Sequence, residues 1–235
     1  MKLLSTLTLL LLMIPSLHAK DTVVLLHGLM RQPASMSKMA SALEAEGYRV
    51  LNIDYPSRDQ TIEVLAATVR RQVARDTVDS AQVHFVTHSM GGIIVRQIQK
   101  SAPLPNIGRV VMLSPPNQGS EVVDKIGHWK AFHFVNGPAG KQLSTDIKGF
   151  IAELGPVDFE CGILTGDRSI NWINSMMIPG KDDGKVSTEG AKVEGMTDYK
   201  VVHATHPMIM KKKAVIQEVI TFLQTGEFKP ANDKP

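Results

Sequence analysis

The stretch Val83-His84-Phe85-Val86-Thr87-His88-Ser89-Met90-Gly91-Gly92-Ile93-Ile94-Val95 constrains this chain more than any other. An apolar, β-branched run ends at Thr87, a serine follows, and two glycines lead into a helix-compatible segment. The pattern predicts a strand, a very sharp turn and a helix, with Ser89 at the tip. A side chain there is squeezed out of the backbone, which is how a G-x-S-x-G turn presents a nucleophile. Gly91 is the small residue that lets strand and helix pack closely, whereas Thr87 stands where the pattern has its first glycine. An ordinary strand-to-helix turn with a serine N-cap is the simpler alternative. The residues elsewhere in the chain decide between the two.

The segments on either side repeat one rhythm. Apolar runs at Thr22 to Leu26, Arg49 to Ile53, Gln82 to Thr87 and Ile107 to Leu113 read as strands. Between them, Met36, Met39, Ala40 and Leu43 recur at helical spacing, as do Ile62, Leu65, Val69 and Val73. The helix after Ser89 ends before Pro103. Strand–helix alternation of this kind predicts an α/β domain over residues 20–235, with a mostly parallel sheet of about six strands and helices on both faces. Phe159 to Thr165 and Tyr199 to Val202 complete the strands. A final helix carries Ile216, Val219, Ile220 and Leu223 on one face, with Pro207 suited to its first turn. Residues 117–155 break the rhythm and read as a lid-like insertion. There Leu143, Ile147, Ile151 and Leu154 mark one helix face, and Trp129, Phe132 and Phe134 sit in a loop.

The first residues point outside the cytoplasm. Lys2, an apolar run from Leu3 to Ile14 and Ala19 describe a signal peptide over residues 1–19, cut after Ala19. The run is too short to span a bilayer comfortably. The formal net charge of +3 falls by one when Lys2 leaves, which gives no electrostatic case for nucleic acid. Cys161 is the single cysteine, so no internal disulfide forms, and it reads as a small buried residue. An exported chain without disulfides fits a bacterial periplasm or medium.

A serine nucleophile needs a base in hydrogen-bond reach, a carboxylate to orient that base, and donors for an oxyanion. In a parallel sheet these gather at the carboxyl ends of the strands. His206, just past the last strand, is the expected base, with His203 as competitor in a more structural position. His84 reads as a core residue, and turn geometry aims His88 elsewhere. His128 and His133 have no assigned task. For the acid, Asp183 opens the turn Asp-Gly-Lys-Val, while Asp167, directly after a strand, is the alternative. Asp182 shapes the turn. Two adjacent carboxylates without further spaced ligands are a weak metal signal. The backbone N–H groups of Leu29 and Met90 are the expected oxyanion donors, with His27, Gly28 and Gly91 supporting the turns.

Taken together, these residues resemble the α/β-hydrolase superfamily, in particular its bacterial lipase- and esterase-like members. His27-Gly28-Leu29, Thr87-His88-Ser89-Met90-Gly91-Gly92, Ser114-Pro115-Pro116-Asn117-Gln118-Gly119-Ser120, Asp183-Gly184-Lys185-Val186 and His206 carry the resemblance across nearly the whole mature chain. It implies a compact version of that fold and a serine ester hydrolase, carboxylesterase or lipase-like, working through Ser89, Asp183 and His206; the apolar insertion suggests an apolar acyl ester as substrate. Neither cofactor nor metal is implied. The expected partners are a small-molecule or lipid ester and, transiently, a lipid interface, and the protein is expected to be a monomer. An acyltransferase or thioesterase on the same residues is the alternative, and a non-catalytic binding module a more distant one.

Overall fold

A computed structural model describes residues 21–126, 130–170 and 172–230. The expected leader, with its cut after Ala19, therefore lies outside the described residues, as do His128, Trp129 and the side chains of Phe132, His133 and Phe134.

Among the described residues six strands form one sheet in the order β2-β1-β3-β4-β5-β6, and every neighbouring pair is parallel. They are β1 (Thr22–Leu26), β2 (Arg49–Ile53), β3 (Val83–His88), β4 (Ile107–Leu113), β5 (Cys161–Gly166) and β6 (Asp198–Val202). Burial follows position. All residues of β1, β3 and β5 are buried, whereas β2 and β6 at the two edges are mostly half-exposed. That is why the central strands are near-continuous apolar runs: both of their faces are covered.

Alternation along the strands sorts side chains into two cores. Val24, Leu26, Phe85, Val110 and Met112 face α2 (Ile62–Asp76) and α3 (Met90–Ser101). Val23, Leu25, Val86, Val111 and Leu113 face α1 (Ser37–Ala45) and α8 (Lys213–Thr225). Each helix turns its apolar stripe inward: Leu65, Val69 and Val73 on α2, Val215, Val219 and Leu223 on α8. Because every strand runs the same way, the loops bearing residues 27–31, 54–59, Ser89, 114–120, 167–187 and 203–208 emerge at one edge of the sheet.

Three local expectations are corrected. Lys130–Lys141 is helical (α5) rather than a loop, broken at Gly137 (φ 65°, ψ −168°) just before Pro138. The spacing of Leu143, Ile147, Ile151 and Leu154 does not make one helix; only Phe150–Glu153 (α6) is helical, and Ile147 is 86% exposed. The Asp146 carboxylate accepts the Lys148 amide (2.9 Å) and its carbonyl the Gly149 amide (2.8 Å), a local turn that outcompetes the helix. Pro207 is not in the first turn of α8, because a 3-10 turn at Ile209–Lys211 intervenes and Lys212 is extended. Two further short helices among the described residues are α4 (Glu121–Ile126) and α7 (Trp172–Ser175).

Candidate active site

β3 passes to α3 through Ser89, whose φ of 53° and ψ of −124° lie where L side chains are rarely found. Its amide donates to the Leu113 carbonyl on β4 (2.8 Å), which anchors the turn to the sheet. Glycine is required at 91, since a Cβ there would stand 2.7 Å from the Leu26 carbonyl oxygen and 3.0 Å from that of His27. Thr87 needs no such relief. It is fully buried and keeps register with Leu26 and Met112 on its two neighbours.

His206 reaches Ser89 from the loop after β6. Its Nε2 is 3.1 Å from Ser89 Oγ, and its Nδ1 is 2.8 Å from Asp183 Oδ2. An ionised carboxylate only accepts, so Nδ1 carries the proton and Nε2 offers its lone pair to the hydroxyl. The other carboxylate oxygen of Asp183 accepts the amides of Lys185 (3.0 Å) and Val186 (2.9 Å). The His206 amide donates to the Asp183 carbonyl (2.9 Å), tying the two loops a second time. Asp183 is fully buried. Burial pushes its carboxyl up, but the His206 ring, the nearby Ser114 hydroxyl and the Val186 amide outweigh this and hold it below its ordinary value of 3.8. Asp182 shapes the same turn, its Oδ1 accepting the Gly184 amide (2.7 Å) and the Ser175 hydroxyl (2.8 Å).

The alternative acid, Asp167, is paired elsewhere: its Oδ1 accepts from Nδ1 of His203 at 3.0 Å, in a pair whose histidine is largely exposed. The structure thus joins His206 to Asp183 and His203 to Asp167.

The loop after β1 completes the surroundings of Ser89. The Gly28 carbonyl accepts from His27 Nδ1 (2.9 Å) and from the Arg31 amide (3.1 Å). In a trans peptide the N–H points opposite to the C=O, so the Leu29 N–H is turned away from both donors. Among the described residues neither the Leu29 nor the Met90 amide has an acceptor. A Cβ at Gly28 would lie 3.1 Å from Ser89 Cβ and 2.9 Å from His88 Nδ1, so the loop can run this close only with glycine. His27 itself is fully buried and stacked on Tyr55, with ring centroids 4.1 Å apart and planes 5° apart. The Tyr55 hydroxyl donates to the His27 carbonyl. Burial lowers the His27 pKa, and the Gly28 carbonyl and Asp54 offset this only in part.

His88 corrects the sequence reading. It does not point away from the site: its Nε2 lies 3.0 Å from the His206 carbonyl oxygen, and the two rings are 4.8 Å apart. Strand alternation holds the signal that finds it, because His88 shares a face with Val86, and the chain leading to α8 covers that face. Burial drives its pKa well below 6.5, His206, Arg31 and Lys185 push the same way, and the hydrogen bond to the His206 carbonyl opposes them. His84 lies at the opposite edge of the sheet, buried, with Nδ1 accepting the Arg109 amide (2.7 Å). Cys161 is buried in the core. Among the described residues no group of three or more His, Cys, Asp or Glu side chains is gathered to hold a metal.

Residues 23–170 match the model of the alpha/beta hydrolase family. The fold is similar to that of the lipase BlEst2 of Bacillus licheniformis in its mature form, at 20% identity and a TM-score of 0.70 over 87% of this chain and 92% of that one. Phospholipase PlaB of Legionella pneumophila is similar at 16% identity and a TM-score of 0.69, over 89% of this chain and 60% of the other. The metagenome-derived lipolytic enzymes LipS and LipT give a match at 14% identity and a TM-score of 0.63, over 88% and 94%. No curated protein matches the chain.

Proposed function

The chain belongs to the alpha/beta hydrolase family, and from that premise we propose that it is an exported serine ester hydrolase acting on apolar acyl esters. The observation that carries the reading is the unbroken line from Ser89 Oγ through His206 to Asp183, at 3.1 and 2.8 Å. Ser89 Oγ attacks the ester carbonyl carbon while His206 Nε2 takes the hydroxyl proton. The carbonyl oxygen becomes an oxyanion facing the Leu29 and Met90 N–H groups, whose freedom from other acceptors suits them to it. Collapse breaks the bond to the alcohol, which leaves with the proton from His206, and an acyl-serine remains. Water, deprotonated by His206, attacks the acyl carbon; the acid departs and Ser89 recovers its proton. Asp183 stays ionised throughout and stabilises the imidazolium. The solved structures of similar fold include proteins described as a lipase and a phospholipase, which supports an ester as substrate. The leader-like residues 1–19 support export.

Hydrolysis of p-nitrophenyl esters from acetate to palmitate by purified protein, beside Ser89→Ala, tests the reading. The variant is expected to lose about 10^4-fold or more in kcat while keeping its fold. Retained turnover in Ser89→Ala would reject it.

A further inference from the structure

We propose that His88 is a positioning residue that joins the oxyanion loop to the base, holding the His206 backbone in place through its Nε2–H. The inference rests on the roles given above to Ser89 and His206. Three contacts define it. A carbonyl only accepts, so the 3.0 Å contact between His88 Nε2 and the His206 carbonyl fixes the proton on Nε2. The His88 ring lies 4.8 Å from the His206 ring. Its other edge lies under Gly28, where even a Cβ would stand 2.9 Å from Nδ1. One ring therefore touches the segment that carries the base and the segment that carries the Leu29 donor, while its own backbone leads into the nucleophile.

Packing does not explain a histidine here. The side chain is 1% exposed, and its Nδ1 has no hydrogen-bond partner among the described residues. An apolar side chain of similar volume fills such a space without a buried, unpartnered ring nitrogen. What only the imidazole supplies is a rigid donor at Nε2, aimed at the backbone of the base. Its neutrality fits this task, because a neutral ring does not repel the proton that His206 takes up during the reaction.

The two amide substitutions separate this role from mere bulk. In His88→Gln the side-chain NH2 falls near the position of Nε2 and keeps the donor; in His88→Asn it falls near Nδ1 and cannot reach the His206 carbonyl. Misplacing a reacting group by about 1 Å costs on the order of 100-fold in rate. On p-nitrophenyl butyrate, His88→Asn is expected to lose about 10- to 100-fold in kcat with KM little changed, and His88→Gln to stay within about 3-fold of wild type. The rate of Ser89 labelling by a fluorophosphonate should fall in the same order, with thermal melts run on each protein. Should His88→Asn fail to fold, His88→Leu, which fills the space without a donor, takes its place in the comparison. Equal rates for the donor-keeping and donor-lacking variants, or a change in KM alone, would overturn the role of His88. A wild type that neither turns over esters nor labels at Ser89 would instead overturn the hydrolase reading itself.

Discussion

Ser89 holds a backbone conformation that costs energy, and the turn keeps it because the Leu113 carbonyl and the glycine at 91 leave no other path. Such strain is of order 1–3 kcal/mol for a residue with a Cβ. Glycine relieves it at a smaller cost in unfolded-chain entropy. Ser89→Gly is therefore expected to be more stable than Ser89→Ala by about 1 kcal/mol in thermal or urea unfolding, although both lack the hydroxyl. Equal stabilities would mean that the turn is unstrained. The serine was legible because a β-branched run followed by Ser-x-Gly-Gly has few other physical outcomes, His206 from its place just past the last strand, and Asp183 from the Asp-Gly-Lys-Val turn it opens. The partner of His88 was not, since it depends on where a segment 118 residues away comes to rest. The choice of Asp183 over Asp167 was open for the same reason: one opens a polar turn and the other directly follows a strand, and only the folded chain pairs Asp183 with His206 and Asp167 with His203.

Among the elements, α3 does more than follow the serine. Its Arg96 is 5% exposed and has no carboxylate partner among the described residues. Nη1 donates to the carbonyl and side-chain oxygens of Asn117 (2.9 and 3.2 Å), and Nη2 to the Gly155 carbonyl (2.7 Å). One guanidinium thus pins both ends of segment 117–155 to the helix that starts at the serine. Burial lowers its pKa to about 10, so it remains a cation at neutral pH. Arg96→Met leaves the buried Asn117 carbonyl and the half-buried Gly155 carbonyl without their donors and is expected to cost about 2–4 kcal/mol. Hydrogen exchange should quicken over residues 117–155 while β1 and β3 keep their protection; uniform protection across the chain would show that the segment is held by other means. The sheet was legible nearly strand for strand, because a buried parallel strand is a continuous apolar run. Within 117–155 the reading failed where the helical spacing of apolar residues was overruled by the Asp146 turn, and where Lys130–Lys141 is helical on either side of the break at Gly137 rather than a loop.

At the scale of the whole molecule, three buried histidines set the response to acid. Burial lowers the pKa of His27, His84 and His88 below 6.5 in the folded state. Below that value the unfolded chain takes up protons that the folded chain refuses, so stability is full above about pH 6.5 and falls as pH drops through the window beneath it. Each group contributes up to about 1.4 kcal/mol per pH unit within its window. Asp183 has the same sign lower down: its contribution is present above 3.8 and is lost as pH falls through its depressed folded value. Urea midpoints measured from pH 8 to 5 should decline, and His84→Gln, remote from Ser89, should flatten the decline. A midpoint constant over that range would exclude these groups as the cause.

Outward from β1, the strands β3, β4, β5 and β6 take their places in the order in which a ribosome makes them. Ser89, the proposed nucleophile, follows the third strand, and the proposed base His206 comes only after the last. A growing chain therefore carries its serine through about half of synthesis without the imidazole proposed to activate it. On the proposed chemistry the half-made molecule is inert, and the esters of the cell that makes it are spared until the final strand docks.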